Sequence, residues 1–150
     1  MNKKELNNLF GHTLVETGRQ IKMYNLNMFK EKGYDITPEQ FVILSFLEDN
    51  SNLHQMQLCE LLYKDRSNMA RLIGVLEKKG LVKKLPSIDK RLVNKIQITE
   101  KGKKLKEIIT PDIMNSRKNF LNKIPVEDLN CCIDVLLKIQ HNLKTKKMTD

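Results

Sequence analysis

The chain has 150 residues, enough for one compact domain or one small domain with helical arms, but too few for two full cores. Its 27 lysines and arginines exceed its 18 aspartates and glutamates, and the net charge of +9 indicates a polyanionic partner. Nucleic acid and an acidic membrane surface both fit, and a lysine-rich solvated surface is the alternative. The sequence has no apolar signal segment and no apolar run long enough to span a bilayer, so a cytoplasmic protein is expected.

The first 50 residues predict two helices. Apolar side chains recur at roughly helical spacing over residues 4–32, and the first helix is expected to end near Gly33. Residues 37–40, Thr-Pro-Glu-Gln, form a capping box with proline at the first helical position. A second helix is therefore predicted to begin there and to continue to about Asn50.

A third helix is predicted over residues 55–63, after a short extended link at residues 51–53. His54 is interpreted as an ordinary turn residue before it. The second and third helices, with a turn before Asp65, supply the two supporting helices that a helix-turn-helix requires.

Residues 65–80 predict a fourth helix with two distinct faces. Asp65 is placed to cap its start, and Gly80 to end it with a positive φ angle. One face is apolar and must be buried: Met69, Leu72, Ile73 and Leu76. The opposite face is small and basic, and can enter a groove without clashing: Ser67, Ala70, Arg71, Gly74 and Lys78. For a helix alone, a solvated basic face would be the simpler interpretation, but the segment that follows favours nucleic-acid binding.

That segment predicts a two-stranded ribbon. Apolar residues mark the two strands: Leu81, Val82 and Leu85, then Val93, Ile96 and Ile98. The polar tip between them, residues 86–91, presents Lys90 and Arg91, whose long side chains can reach phosphates or a minor groove. Thr99 is expected to cap the next helix.

Two further helices are predicted, over residues 99–122 and 127–143. Apolar side chains line the last one at helical spacing: Leu129, Cys132, Ile133, Leu136, Ile139 and Leu143. A central domain of about 65 residues is too small to bury the apolar stripes of the first, fifth and sixth helices, which are the three long terminal ones. We therefore expect a homodimer, with a helical dimerisation region at residues 1–36 and 103–150 and a winged helix-turn-helix DNA-binding domain at residues 37–102. The alternative is an intrachain bundle.

The order of these elements, together with four short strings, resembles the MarR family of bacterial and archaeal transcriptional regulators over nearly the whole chain. The strings are DRSNMARL at residues 65–72, LEKKGLV at 76–82, DKR at 89–91 and ITEKG at 98–102. The resemblance implies a mainly α fold with a small β-ribbon. It also implies a homodimeric regulator of a palindromic operator, more often a repressor than an activator, without a cofactor.

The resemblance implies DNA-binding residues as well. Those expected in the major groove are Ser67, Asn68, Arg71 and Lys78. Arg91 at the wing tip would enter the minor groove, Lys90 beside it is counted as DNA-binding, and Asp89 would orient the wing through an ion pair. Arginine can bond bidentately to guanine and asparagine to adenine, whereas Asn68 could equally contact only a phosphate.

The chain departs from the family pattern at three positions. Ala70 stands where Thr or Ser is common, and Gly74 where a polar residue is common, so the number of bases read is left open. His54 replaces the usual cap residue of the third helix, which leaves the start of that helix open.

Proteins resembling this family commonly release DNA when a small, often phenolic or anionic, molecule binds between the dimer arms and the DNA-reading lobes. By analogy, an effector pocket would use residues of the first helix: Phe10, His12, Arg19 or Tyr24. The other interpretation of each is a core or surface residue.

Redox, metal and enzymatic functions have less support. The three cysteines lack the spacing of a disulfide framework or a zinc site, and the histidines are isolated. Cys59 is expected to be buried, while Cys131 and Cys132 are either packing residues or a pair oxidised across a dimer interface. No catalytic motif indicates an enzyme. The remaining rival is a winged helix that serves as a protein- or RNA-interaction scaffold, which would not require both the basic helix face and the basic wing.

Overall fold

The computed structural model describes residues 2–50, 53–86 and 95–146. In these ranges the elements are α1 (Lys3–Glu31), α2 (Pro38–Asp49), β1 (Leu53–His54), α3 (Gln55–Leu61), α4 (Arg66–Lys78), β2 (Val82–Leu85), β3 (Lys95–Ile98), α5 (Glu100–Phe120) and α6 (Val126–Lys146). The predicted fold class, mainly α with a small β-ribbon, is confirmed.

The starts of α2 and α5 follow the predicted caps. Thr37 Oγ1 accepts a hydrogen bond from the backbone N–H of Gln40 at 3.3 Å, and Gln40 Oε1 accepts one from the N–H of Thr37 at 2.9 Å. Thr99 Oγ1 likewise accepts from the N–H of Gly102 at 3.1 Å. Each cap satisfies amide groups that a first helical turn leaves without partners.

Helix α3 ends earlier than predicted because the turn after it begins at Leu62. Tyr63 adopts a φ of +49°, in the left-handed region, so the helix cannot continue through it. The backbone N–H of Lys64 then donates to the carbonyl of Cys59 at 3.0 Å and closes the turn. Cys59 itself is buried, as expected.

The sheet has three strands in the order β1-β3-β2, and both pairings are antiparallel. The ribbon of β2 and β3 was predicted, with Val82 opposite Ile98. Residues 51–53 were expected to form a short extended link, and Leu53 of this segment lies in β1, opposite Ile96 of β3. Two residues carry no periodic pattern, so this strand depends on a long-range pairing that the local sequence does not encode.

Side chains from several elements form one core. The largest fully buried ones are Ile43, Leu44, Leu58, Met69, Ile73, Leu76, Ile96 and Ile109. They come from α2, α3, α4, β3 and α5, so the core fixes α4 by its apolar face and leaves its opposite face outward. The predicted burial of Met69, Leu72, Ile73 and Leu76 is confirmed.

The chain divides into two compact units, Met1–Ile113 and Met114–Asp150. In the first, α1 exposes several large apolar side chains: Leu6, Leu9, Phe10, Leu14 and Val15. In the second, α6 exposes Ile133, Val135, Leu137 and Leu143, together with both of its cysteines, Cys131 and Cys132. The predicted dimerisation region concerns an assembly of two chains and stays a prediction.

Among the helices of the described ranges, none has the length and apolar character needed to cross a membrane. The same ranges contain no group of three or more histidine, cysteine, aspartate or glutamate side chains that could hold a metal ion.

Candidate nucleic-acid interface

The candidate interface centres on α4, whose start is capped as predicted. The Asp65 carboxylate accepts a hydrogen bond from the backbone N–H of Asn68 at 2.8 Å. An anionic cap also interacts favourably with the positive end of the helix dipole. The cap and the buried face together orient the side chains of the first two turns.

The outward face of α4 carries the residues that the sequence predicts to face the DNA groove. Ser67, Ala70, Arg71 and Lys78 are exposed, and Asn68 and Gly74 are half-buried. Arg71 Nη2 donates to Asn68 Oδ1 at 3.1 Å. The structure thus brings two predicted base readers together one helical turn apart, where the guanidinium orients the amide.

The end of α4 is joined to the beginning of α5. Gly80 has a φ of +69°, as its predicted place after the helix requires. Lys101 Nζ donates to the carbonyl of Lys79 at 2.8 Å, and Thr99 Oγ1 donates to that of Gly80 at 2.7 Å. The N–H of Thr99 donates to the carbonyl of Leu81 at 3.0 Å. These three bonds satisfy carbonyls at the exit of α4.

An ion pair links α4 to the wing, which is the ribbon of β2 and β3 with the loop between them. Lys84 of β2 lies with its Nζ 2.7 Å from Glu77 Oε2 on α4. The strands of the wing are described, but its tip is not: Asp89, Lys90 and Arg91 lie outside the described residues. Their predicted roles in DNA binding and wing orientation stay predictions.

A second charged group lies beside α4 and was not anticipated. Glu39 Oε1, in the first turn of α2, is 3.4 Å from Lys22 Nζ on α1 and 3.4 Å from Lys64 Nζ in the turn before α4. Partial burial raises the pKa of Glu39, but the charges and hydrogen bonds of Lys64 and Lys22 outweigh this effect and hold it below its usual value. No local pattern relates these three residues, because each belongs to a different element.

The predicted effector residues of α1 do not converge within one chain. Phe10 and Tyr24 are about 21 Å apart along a helix that rises 1.5 Å per residue. His12 and Arg19 lie on nearly the opposite side, since successive residues turn by about 100°. Arg19 also pairs with Glu16 at 2.8 Å. The assignment of Phe10, His12, Arg19 and Tyr24 to a pocket stays a prediction.

A cavity of about 380 Å³ lies instead between the end of α1, the loop after it, the start of α2 and the end of α4. Its lining includes Phe29, Tyr34, Ile36, Val75 and Lys79. The Tyr34 hydroxyl donates a short hydrogen bond to Asp112 of α5, whose carboxylate is also 3.0 Å from Lys32 Nζ. Burial, this hydrogen bond and the negative charge of Asp112 raise the pKa of Tyr34 to about 12. The Tyr34 hydrogen bond and Lys32 lower the pKa of Asp112.

The helices α2, α3 and α4 packed with the three-stranded sheet, and the outward basic face of α4, define a winged-helix protein. Residues 34–91 match the model of the MarR family. This match confirms the resemblance to the MarR family that was recognised from the sequence.

Individual relatives agree with this resemblance. The chain is 28% identical over 113 residues to the Bacillus subtilis (strain 168) protein named Uncharacterized HTH-type transcriptional regulator YybA, and the match covers 75% of each chain. Its fold is similar to that of a MarR/EmrR family transcriptional regulator from Acinetobacter sp. ADP1, with a TM-score of 0.82, 18% identity, and coverage of 97% of this chain and 99% of that one. It is also similar to S. aureus MepR in a complex with DNA, with a TM-score of 0.73, 21% identity, and coverage of 95% and 98%.

Proposed function

We propose that the chain is a DNA-binding transcriptional regulator, a homodimeric repressor in the cytoplasm that reads a palindromic operator through α4 and the wing. The observation that carries the proposal is the exposed, small and basic face of α4, with a capped start and a hydrogen-bonded exit. A face of this kind can approach base edges in the major groove without steric hindrance. The MepR structure, which has the same fold, contains DNA.

In this proposal, the major groove receives Ser67, Asn68, Arg71 and Lys78. Asn68 presents an amide and Arg71 a guanidinium, the two groups that form bidentate pairs with adenine and guanine. From the wing, Lys90 and Arg91 would bind phosphates or the minor groove, and Asp89 would orient the loop.

Dimerisation would use the helices of residues 1–36 and 103–150. Supporting this, Leu6 and Leu9 of α1 are 52% and 53% exposed, and Ile133 and Leu137 of α6 are 52% and 55% exposed. Exposed apolar side chains repeated along a long helix are typical of an interface. A two-fold dimer would place its two α4 helices about 34 Å apart, one turn of B-form DNA. Multi-angle light scattering of the purified chain, with a dimer mass expected, tests this step.

A response to a small molecule is supported by the cavity beside α4. Its volume of about 380 Å³ falls in the range of ligand pockets. Because Val75 of α4 and Lys79, the C-cap residue of α4, form part of its wall, an occupant would contact the DNA-reading helix directly. A small aromatic acid is a suitable probe, since its carboxylate could replace Asp35 as the partner of Lys79 while its ring lies near Phe29. If the cavity serves this purpose, Val75→Trp should fill it and abolish release of DNA by that probe.

The central experiment is a fluorescence-anisotropy titration with duplex DNA from upstream of the protein's own coding region, a scrambled duplex and a single-stranded RNA. We expect tight binding to the upstream duplex, weaker binding to the scrambled one, and a steep dependence on salt. Equal, weak binding to all three would contradict the proposal and favour an interaction scaffold.

A further inference from the structure

A cleft lies beside α4, between this helix and α1. Its volume is about 270 Å³, and its walls include Lys22 of α1, Glu39 and neighbouring residues at the start of α2, and Arg71 of α4. The cleft therefore borders the proposed base-reading face, because Arg71 belongs to both.

The charges around this cleft do not balance. The Lys22 and Lys64 ammonium groups are each 3.4 Å from one carboxylate, Glu39, and Arg71 lines the same cleft as Lys22 and Glu39. The lowered pKa of Glu39 keeps that carboxylate charged at neutral pH, so a positive excess of two remains. The Arg71 guanidinium has five N–H donors, and the bond to Asn68 uses one of them.

The ion pair between Lys22 and Glu39 can be exchanged at little cost. The Lys22 side chain is 62% exposed and that of Glu39 38% exposed, and ion pairs that are this open to solvent contribute little to stability. Glu39 thus holds the Lys22 ammonium at the cleft that Arg71 also lines, while leaving it accessible to a stronger anionic partner. Phosphate diester oxygens are such partners for lysine and arginine.

We propose that Lys22, with Arg71 and Lys64, binds a phosphate group of the DNA backbone beside the major groove, so that α1 takes part in DNA binding. The inference rests on the proposed function and extends the interface from the winged helix onto α1. In this arrangement Glu39 is a positioning residue, which orients the two lysines. Since lysine offers a point charge rather than a planar fork, the contact adds affinity without base preference.

The test compares Lys22→Gln with Lys4→Gln, which removes the same charge from an exposed position near the other end of α1. Anisotropy titrations at several salt concentrations give the slope of log Kd against log salt. A lost phosphate contact changes this slope by about 0.9 for each bound chain. For Lys22→Gln we expect the slope to decrease by this amount, while the affinity ratio between operator and scrambled duplex stays unchanged. Lys4→Gln should behave as the parent does, and Lys22→Arg should restore the slope.

The outcomes separate this inference from the proposed function. If the parent binds the operator selectively and Lys22→Gln keeps the parent slope, the inference is wrong and the proposed function stands. If the parent binds no duplex in a salt-dependent manner, both are wrong. Thermal melting followed by circular dichroism checks that Lys22→Gln is folded, and a lower slope in a variant with the parent melting temperature supports the phosphate contact.

Discussion

Gly102 lies so close to Leu81 that the position has no room for a side chain. A Cβ atom there would stand 2.3 Å from the carbonyl oxygen of Leu81 and 2.8 Å from Cγ1 of Ile98. The Leu81 carbonyl also accepts the N–H of Thr99 at 3.0 Å, which ties the two segments together. The close packing of the start of α5 against the exit of α4 therefore requires a glycine at position 102, the last residue of the string ITEKG.

Gly102→Ala is expected to lower the free energy of unfolding by about 1–3 kcal/mol, because the backbone of α5 must move away from Leu81. Gly74→Ala is the matched control. Gly74 is inside α4, and an added Cβ meets nothing within 4 Å, so this substitution should raise the free energy of unfolding by roughly 0.5–1 kcal/mol. Urea denaturation measures both. Two changes of the same sign would contradict the packing argument.

Asp65→Ala removes the acceptor for the N–H of Asn68 and should lower the free energy of unfolding by about 0.5–2 kcal/mol. Because the first turn of α4 also presents Ser67 and Asn68, DNA affinity should fall as well. Asp65→Asn keeps a good cap and should retain stability and binding close to the parent. Equal loss of stability in the two variants would show that the carboxylate acts through something other than capping.

Arg71→Ala should reduce affinity for the operator by about 1–3 kcal/mol, equivalent to roughly 5- to 150-fold, if its guanidinium reads a base. The affinity ratio between operator and scrambled duplex should then decrease. Arg19→Ala removes the same type of side chain from an exposed position on α1, where it pairs with Glu16, and serves as the control. If Arg71→Ala leaves selectivity unchanged, Arg71 reads no base and contributes only the phosphate contact.

Tyr34 provides a prediction for alkaline pH. Its pKa is raised from 10.0 to about 12, mainly by burial and the hydrogen bond to Asp112. Between these values the unfolded chain loses a proton that the folded chain keeps, so stability present below pH 10 is lost as pH rises toward 12. The parent should therefore lose stability more steeply over this range than Tyr34→Phe.

Urea denaturation at about pH 9 and about pH 11 measures this difference, because the titration of lysines is common to both proteins. Absorbance of tyrosinate offers an independent check. Of the three tyrosines, one should ionise late in the parent, and Tyr34→Phe should lack that late step. Parallel loss of stability in the two proteins would contradict the assignment of the raised pKa.

Features encoded locally were predictable from the sequence. The apolar face of α4 follows from a spacing of three and four residues, and the caps at Thr37, Asp65 and Thr99 follow from short-range hydrogen bonding. The four short strings predicted the resemblance to the MarR family that the family model confirms over residues 34–91. The roles of individual residues in DNA binding rest on that resemblance, and they remain predictions until binding is measured.

Features that depend on distant contacts could not be predicted. Strand β1 is two residues long and exists through its pairing with β3. The link between Lys22, Glu39 and Lys64 depends on how α1 and the turn before α4 pack against the start of α2. In the sequence, Glu39 appears only as part of a capping box, and nothing there indicates its two partners.

The junction of α4 and α5 has a mechanical consequence. Hydrogen bonds from Thr99 and Lys101, with Gly102 packed against Leu81, make the exit of one helix and the entry of the next a rigid corner. Residues 100–113, the part of α5 within the first unit, span about 21 Å at the usual helical rise. Over this length, a displacement of about 1 Å at Ile113 corresponds to a rotation of about 3° at the corner. Such a rotation turns the outward face of α4 by the same small angle, so the corner couples this part of α5 to the orientation of the reading helix.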